Sequence, residues 1–167
     1  WSSLTGAIGI FLVFVLVVIF CLLAFLLPRR RETSKQEEHV IITGGSSGIG
    51  LAVARELVME KKCHRVTLLA RTESTLKEVQ KNLLDEAKKL NNSDGGDDVE
   101  VNIYPVDVSN AEAMQKAAKH ICLDCTDAIA PTVIFNVAGT SSSAAFVDTD
   151  FTEYERLMRI NYMGSVY

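Results

Sequence analysis

The residues with the clearest chemical meaning are the glycines of Thr43-Gly44-Gly45-Ser46-Ser47-Gly48-Ile49-Gly50. Gly44 stands where a side chain would obstruct a tight turn. Gly48 lets the backbone approach a pyrophosphate, and Gly50 permits a helix to pack closely on a strand. Ser46, Ser47 and Ile49 fill the places between them. Backbone N–H groups and the positive end of the following helix would then face phosphates, the arrangement that binds a dinucleotide. A glycine-rich turn carries weight only between a strand and a helix. Arg71 is the second candidate. An acidic residue at the end of the next strand would accept hydrogen bonds from a ribose 2′-OH and repel a 2′-phosphate. Here Ala70-Arg71 occurs instead. A guanidinium matches a phosphate in charge and fork geometry, which predicts NADPH over NADH. A solvated surface arginine is the alternative. Cys122 and Cys125, with His120 beside them, form a C-x-x-C. Zinc would want a fourth ligand and a redox pair would want a strand-to-helix junction, so small, partly buried thiols are expected.

These groups need elements to hold them. His39–Thr43 (HVIIT) is a compact β-branched run that fits a buried parallel strand, and the glycine turn comes directly after it. Gly48–Glu60 has helical spacing, and Arg65–Ala70 is a second buried strand. Leu76, Val79, Leu83, Leu84, Ala87 and Leu90 recur at helical intervals between Glu73 and Leu90. After the turn-rich Asn91–Asp98 loop, Val99, Val101 and Ile103 alternate into a third strand ending near Asp107. Ser109–Glu112 and Thr152–Glu155 match the capping-box pattern of a helix start. Thr132–Val137 is a fourth strand, and the last helix is expected to be still running at Tyr167. Strands alternating with helices predict an α/β fold, the N-terminal part of a doubly wound parallel sheet of Rossmann type. With strand order 3-2-1-4, the fourth strand would be an uncovered apolar edge, the mark of a domain cut short.

The chain ahead of this domain differs in kind. Leu4–Leu27 carries no charged residue. As a helix it would be about 36 Å long, enough to cross a hydrocarbon core of about 30 Å. No Lys or Arg precedes it and Pro28-Arg29-Arg30-Arg31 comes next, which favours a retained anchor over a cleaved signal. Basic residues just past the span place the rest of the chain in the cytosol. The expected organisation is an anchor with its basic flank at 1–31, a linker at 32–38, and an incomplete dinucleotide-binding domain at 39–167. A net charge of −4 argues against a nucleic-acid partner.

The spacing T-G-x-x-x-G-x-G resembles the short-chain dehydrogenase/reductase family. Asp107-Val108 closes the third strand, where the family places an aspartate near the adenine. Asn136-Val137-Ala138-Gly139 is similar to the family's N-N-A-G, with Val137 in place of the second Asn, and Ile160-Asn161-Tyr162 matches its catalytic-Asn segment. The resemblance implies cofactor contacts from Asp107, Val108, Asn136, Ala138 and Gly139, and a catalytic role for Asn161. It also implies a Tyr that donates a proton and a Lys four residues later. No Tyr-x-x-x-Lys occurs in these 167 residues: Val108, Met158 and Val166 stand at that distance after Tyr104, Tyr154 and Tyr162. The expectation is therefore an N-terminal piece, inactive by itself, of an NADPH-dependent enzyme.

Leu69-Ala70-Arg71, the run Tyr154–Tyr167 and the anchor resemble family members that reduce the 3-keto group of a long-chain sphingoid base. Such members work in sphingolipid biosynthesis as single-pass proteins of the endoplasmic reticulum membrane, with the catalytic domain facing the cytosol. A homo-oligomer is compatible with this reading. Two alternatives stay open: an anchored hydroxysteroid-type reductase facing the lumen, and a non-catalytic membrane-tethered dinucleotide-binding protein.

Overall fold

The computed structural model describes residues 38–90, 99–124 and 130–167. The expected span Leu4–Leu27, its basic flank, nearly all of the linker, the acidic loop 91–98 and Cys125 lie outside them. Among the described residues, no helix is long and apolar enough to cross a membrane.

Four strands, β1 (His39–Thr43), β2 (Arg65–Ala70), β3 (Glu100–Pro105) and β4 (Val133–Asn136), form one parallel sheet in the order β3-β2-β1-β4. Between and after them come α1 (Gly48–Met59), α2 (Glu73–Leu90), α3 (Ala111–Lys119) and α4 (Phe151–Asn161). All of β1 is buried because both faces of the sheet are covered there, which is why its sequence is continuously apolar. Val40 and Ile42 point into a core with Val66 and Leu68 of β2, Ala54 and Val58 of α1, and Leu76, Val79, Leu83 and Ala87 of α2. Ile41 and Leu69 point the other way, to Val106, Ala117 and Ile121. Burial of each such Val, Leu or Ile contributes roughly 1.5–3 kcal/mol. The α2 side chains that enter the core recur every three or four residues, the stripe that a helix lying on a sheet requires.

β4 is the exception. All four of its residues are exposed, with Ile134 at 58%, so the expected uncovered apolar strand is present. Among the described residues it pairs only with β1.

Three local expectations are corrected. Ser109 does not cap α3: the cap is Asn110, whose side chain accepts from Ala113 N at 3.0 Å. Glu112 pairs instead with Lys116, 2.7 Å away. Thr152 does not cap α4 either, because Asp150 does, accepting from Thr152 N at 2.8 Å. The last helix ends at Asn161 and gives way to a 3-10 turn over Met163–Ser165. There a Cβ on Gly164 would lie 2.9 Å from Val108 Cγ2, so the chain passes close against the loop after β3.

Arg65 and Glu100 face each other across β2 and β3, with Nε 2.7 Å from the carboxylate. Burial works to raise the Glu100 carboxyl. Hydrogen bonds from Arg65 and Asn102, with the nearby positive charge, outweigh it and hold the group below its ordinary range. The stabilisation is present above the unfolded-state value of about 4.3 and is lost as pH falls through the lower folded value. E100Q should therefore lower stability at neutral pH by at most about 1 kcal/mol, since the carboxylate is half-exposed. In strong acid the difference should vanish, as denaturant unfolding at both pH values would reveal.

Cys63 is buried, and burial with the neighbouring Glu38 charge pushes its thiol up to about 11. Cys122 is exposed, in a π-helical turn after α3, not partly buried as its sequence context suggests. Alkylation of the folded protein at mildly alkaline pH should label Cys122 well before Cys63, because the thiolate is the reacting species. Peptide mass spectrometry distinguishes the two.

Candidate functional site

The loops that leave the C-terminal ends of all four strands enclose a cavity of about 390 Å³. It lies where the strand order reverses between β1 and β4, the crevice in which open α/β sheets bind ligands. Its first wall is the turn between β1 and α1. Gly44 has φ +71°, and a Cβ there would stand 2.9 Å from the Ala138 backbone. Gly50 is pressed against the same turn: a Cβ would come 2.8 Å from the Gly44 carbonyl carbon and closer still to its oxygen. Gly48 differs, having φ +55° and nothing within 4 Å of a Cβ, so its surface faces open space in the cavity.

The Gly44 and Gly45 N–H groups are used within the fold, both donating to Leu69 O at 2.8 and 3.2 Å. The start of α1 is different. Ser47 caps it without a side-chain hydrogen bond, and its first turn contains no acidic residue. Donors of that turn therefore point, with the helix dipole, toward the space beside Gly48 and Ile49, where an anionic group fits.

Thr43, to which sequence reasoning assigned no role, braces the cavity floor. Its Oγ1 accepts from Val137 N and Ala138 N, both at 3.1 Å, and donates to Phe135 O at 3.4 Å. One hydroxyl thus ties the end of β1 to the end of β4.

The second wall comes from β2 and β3. Leu69, Ala70, Arg71, Thr72 and Thr75 line it, with the Arg71 side chain exposed to the cavity mouth. Val106, Asp107 and Val108 come after β3, which stops at Pro105, short of the expected Asp107. Asp107 Oδ1 accepts from Ser109 N at 2.9 Å and from Ser109 Oγ at 2.7 Å, so Ser109 orients this carboxylate.

Of the cofactor residues expected from sequence, Gly44, Ser46, Ser47, Gly48, Ile49, Arg71, Asp107, Val108, Ala138 and Gly139 all line this one cavity. Gly50 and Asn136 do not. Gly50 packs behind the turn, and Asn136 ends β4 opposite Thr43. Asn161 is also outside the lining, and its side chain is engaged: Oδ1 accepts from Thr140 N, Nδ2 donates to Thr140 O, both at 2.8 Å. It fastens the end of α4 to the loop after β4. Sequence reasoning missed Arg156 and Ile160, which close the cavity from α4. Arg156 makes a fork with Glu153, Nε to Oε2 at 2.8 Å and Nη2 to Oε1 at 2.7 Å. Hydrogen bonding from Arg156 holds the Glu153 carboxyl below its ordinary range.

Comparison with known proteins agrees with this geometry. The chain is 35% identical over 130 residues to the 3-ketodihydrosphingosine reductase of Mus musculus and 36% identical over 130 residues to that of Bos taurus. In each case 77% of this chain is matched, and it spans only 36% of the relative's length. A solved short-chain dehydrogenase from Sphingobium yanoikuyae, in complex with NADPH, superimposes with a TM-score of 0.61 at 25% identity. That match covers 77% of this chain and 44% of the other. The pattern of the short chain dehydrogenase family runs through residues 38–167, from the first residue ahead of β1 to the end of the chain. This chain, with its parallel sheet and glycine-lined cavity, belongs to the short chain dehydrogenase family, oxidoreductases that use a nicotinamide dinucleotide.

Proposed function

We propose that the protein carrying this chain reduces the 3-keto group of 3-ketodihydrosphingosine to dihydrosphingosine, with NADPH as the reductant. The observation that carries the reading is Arg71 at the mouth of the cavity formed by the glycine turn. It does so in a chain similar to two 3-ketodihydrosphingosine reductases. When bound, the dihydronicotinamide supplies a hydride. The chain's own residues hold the cofactor: the α1 N-terminus takes the pyrophosphate, Arg71 takes the 2′-phosphate, and Asp107 and Val108 border the adenine. Asn161 serves this site by fixing the Thr140 loop. Residues 4–27 anchor the protein in the endoplasmic reticulum membrane with the catalytic domain in the cytosol. That placement suits an amphiphilic substrate held in the bilayer.

The test is turnover by the full-length protein in detergent, with NADPH and either 3-ketodihydrosphingosine or a steroid ketone. Mass spectrometry should detect dihydrosphingosine. Reduction of the steroid alone would favour the hydroxysteroid-type alternative, and NADPH binding without turnover of either would favour the non-catalytic one. The Asn91-Asn92-Ser93 sequon reports topology. A cytosolic domain should show no glycosidase-sensitive mass shift in cells.

A further inference from the structure

Two guanidinium groups line the cavity among the described residues, and they sit on different walls. Arg71 lies just after β2, whereas Arg156 comes from α4, with Ile160 one turn later beside it. The α4 pair flanks Val108 and Ser109, because Arg156 and Ile160 also border a neighbouring depression with Ser109. They therefore close the part of the cavity next to Asp107 and Val108, away from the glycine turn.

The state of Arg156 limits what it can recognise. Its fork with Glu153 favours one orientation of the guanidinium plane and offsets part of its charge. A guanidinium already paired with a carboxylate pulls less strongly on a phosphate than the Arg71 side chain, unpaired among the described residues, would. What remains is the flat, weakly hydrated face of the guanidinium, a surface on which aromatic rings stack. Aliphatic side chains share this lining, Val106, Val108, Val137 and Ile160, with the Asp107 carboxylate among them. A flat cationic face beside aliphatic walls suits a planar heterocycle better than a ribose or a phosphate.

We propose that Arg156, backed by Ile160 and oriented by Glu153, is the surface on which the adenine ring of the cofactor stacks. It determines affinity for the adenosine half without discriminating the 2′-phosphate. The proposal rests on the dinucleotide-binding reading given above and divides the two arginines by task, Arg71 for the phosphate and Arg156 for the base.

The test is titration of the full-length protein and its R156A and R156K variants with NADPH, NADH and reduced nicotinamide mononucleotide, which lacks the adenine. R156A should weaken NADPH and NADH by the same factor, about three- to tenfold, and leave the mononucleotide unchanged. R156K keeps the positive charge opposite Glu153 but lacks the planar face, and should show most of the same loss. Thermal unfolding without cofactor should be nearly unchanged in both, since an exposed ion pair one turn apart contributes little. Loss confined to NADPH and rescued by R156K would make Arg156 a phosphate ligand and overturn the proposal. Unchanged affinity in both variants would also overturn it, with the cofactor reading intact. Failure of the unsubstituted protein to bind either dinucleotide removes both.

Discussion

Replacing Arg71 with glutamate should reverse the cofactor preference proposed above. The side chain is exposed at the cavity mouth with Thr72 and Thr75 beside it, so the substitution disturbs no core. A charge-assisted fork from arginine to a phosphate contributes roughly 1.5–3 kcal/mol. R71A should thus weaken NADPH by about ten- to a hundredfold and leave NADH nearly unchanged. R71E adds repulsion between carboxylate and phosphate, and the loss should approach a thousandfold at low salt. The same carboxylate can accept from a ribose 2′-OH, so NADH should bind as well as before or better. Because the site is open to water, raising ionic strength should shrink the proposed NADPH advantage of the unsubstituted protein. Fluorescence titration with both cofactors at two salt concentrations measures each of these. Equal weakening of NADPH and NADH by R71A would show that Arg71 is not the phosphate ligand.

Gly50→Ala should have the largest effect on the fold and the cavity together. Alanine is the better helix former by about 1 kcal/mol, and on propensity alone α1 would gain. The new methyl would instead meet the Gly44 carbonyl, 2.8 Å from its carbon and closer still to its oxygen, both backbone atoms that no rotamer change can move. The turn must shift, with Gly44 itself already confined by Ala138. Overpacking of this kind costs about 1–3 kcal/mol, so a net destabilisation of up to about 2 kcal/mol is expected. Dinucleotide affinity should fall by a hundredfold or more, because the displaced turn carries the donors of the α1 N-terminus. G48A is the contrasting variant. Its methyl meets no protein atom but requires a left-handed backbone, a strain of roughly 1 kcal/mol. Its main consequence should be on binding, through a side chain placed where the pyrophosphate is proposed to lie. Denaturant unfolding and cofactor titration on both variants separate the two effects.

The sheet was legible because periodicity and punctuation agreed along the chain. HVIIT ahead of Gly44-Gly45 has few readings, and the α2 stripe admits one packing face. The helix starts were less legible for a definite reason. Both Ser109–Glu112 and Thr152–Glu155 satisfy the spacing of a capping box, but another capping side chain stands close to each, Asn110 and Asp150. Asn110 and Asp150 adopt the extended backbone of a cap and take the role, Asp150 with a higher capping preference than Thr152. The hydroxyls of Ser109 and Thr152 then serve Asp107 and Asp150.

In the cavity, residues inside the glycine turn and at strand ends could be named in advance, since local order alone places them. Arg156 could not. It lies among the polar positions of α4, and tertiary packing, including the close passage of Gly164 against Val108, brings that helix beside the loop after β3. Asn161 could be named but not placed, because its partner Thr140 is 21 residues away in the chain.

The hydroxyl of Thr43 also bears on the order in which the protein becomes able to bind anything. Its acceptor role toward Val137 joins residues separated by 94 positions. At ribosomal rates of about 5–20 residues per second, that separation corresponds to roughly 5–20 s. During that interval β1, β2 and β3 can pair through nearer contacts, and both the glycine turn and Arg71 already exist. The far wall does not. A dinucleotide meeting the nascent chain finds phosphate donors and the Asp107-Val108 edge, but not the wall that β4 and α4 supply. Its full binding energy therefore becomes available only after β4 and α4 have joined, and it favours the assembled cavity over every earlier intermediate.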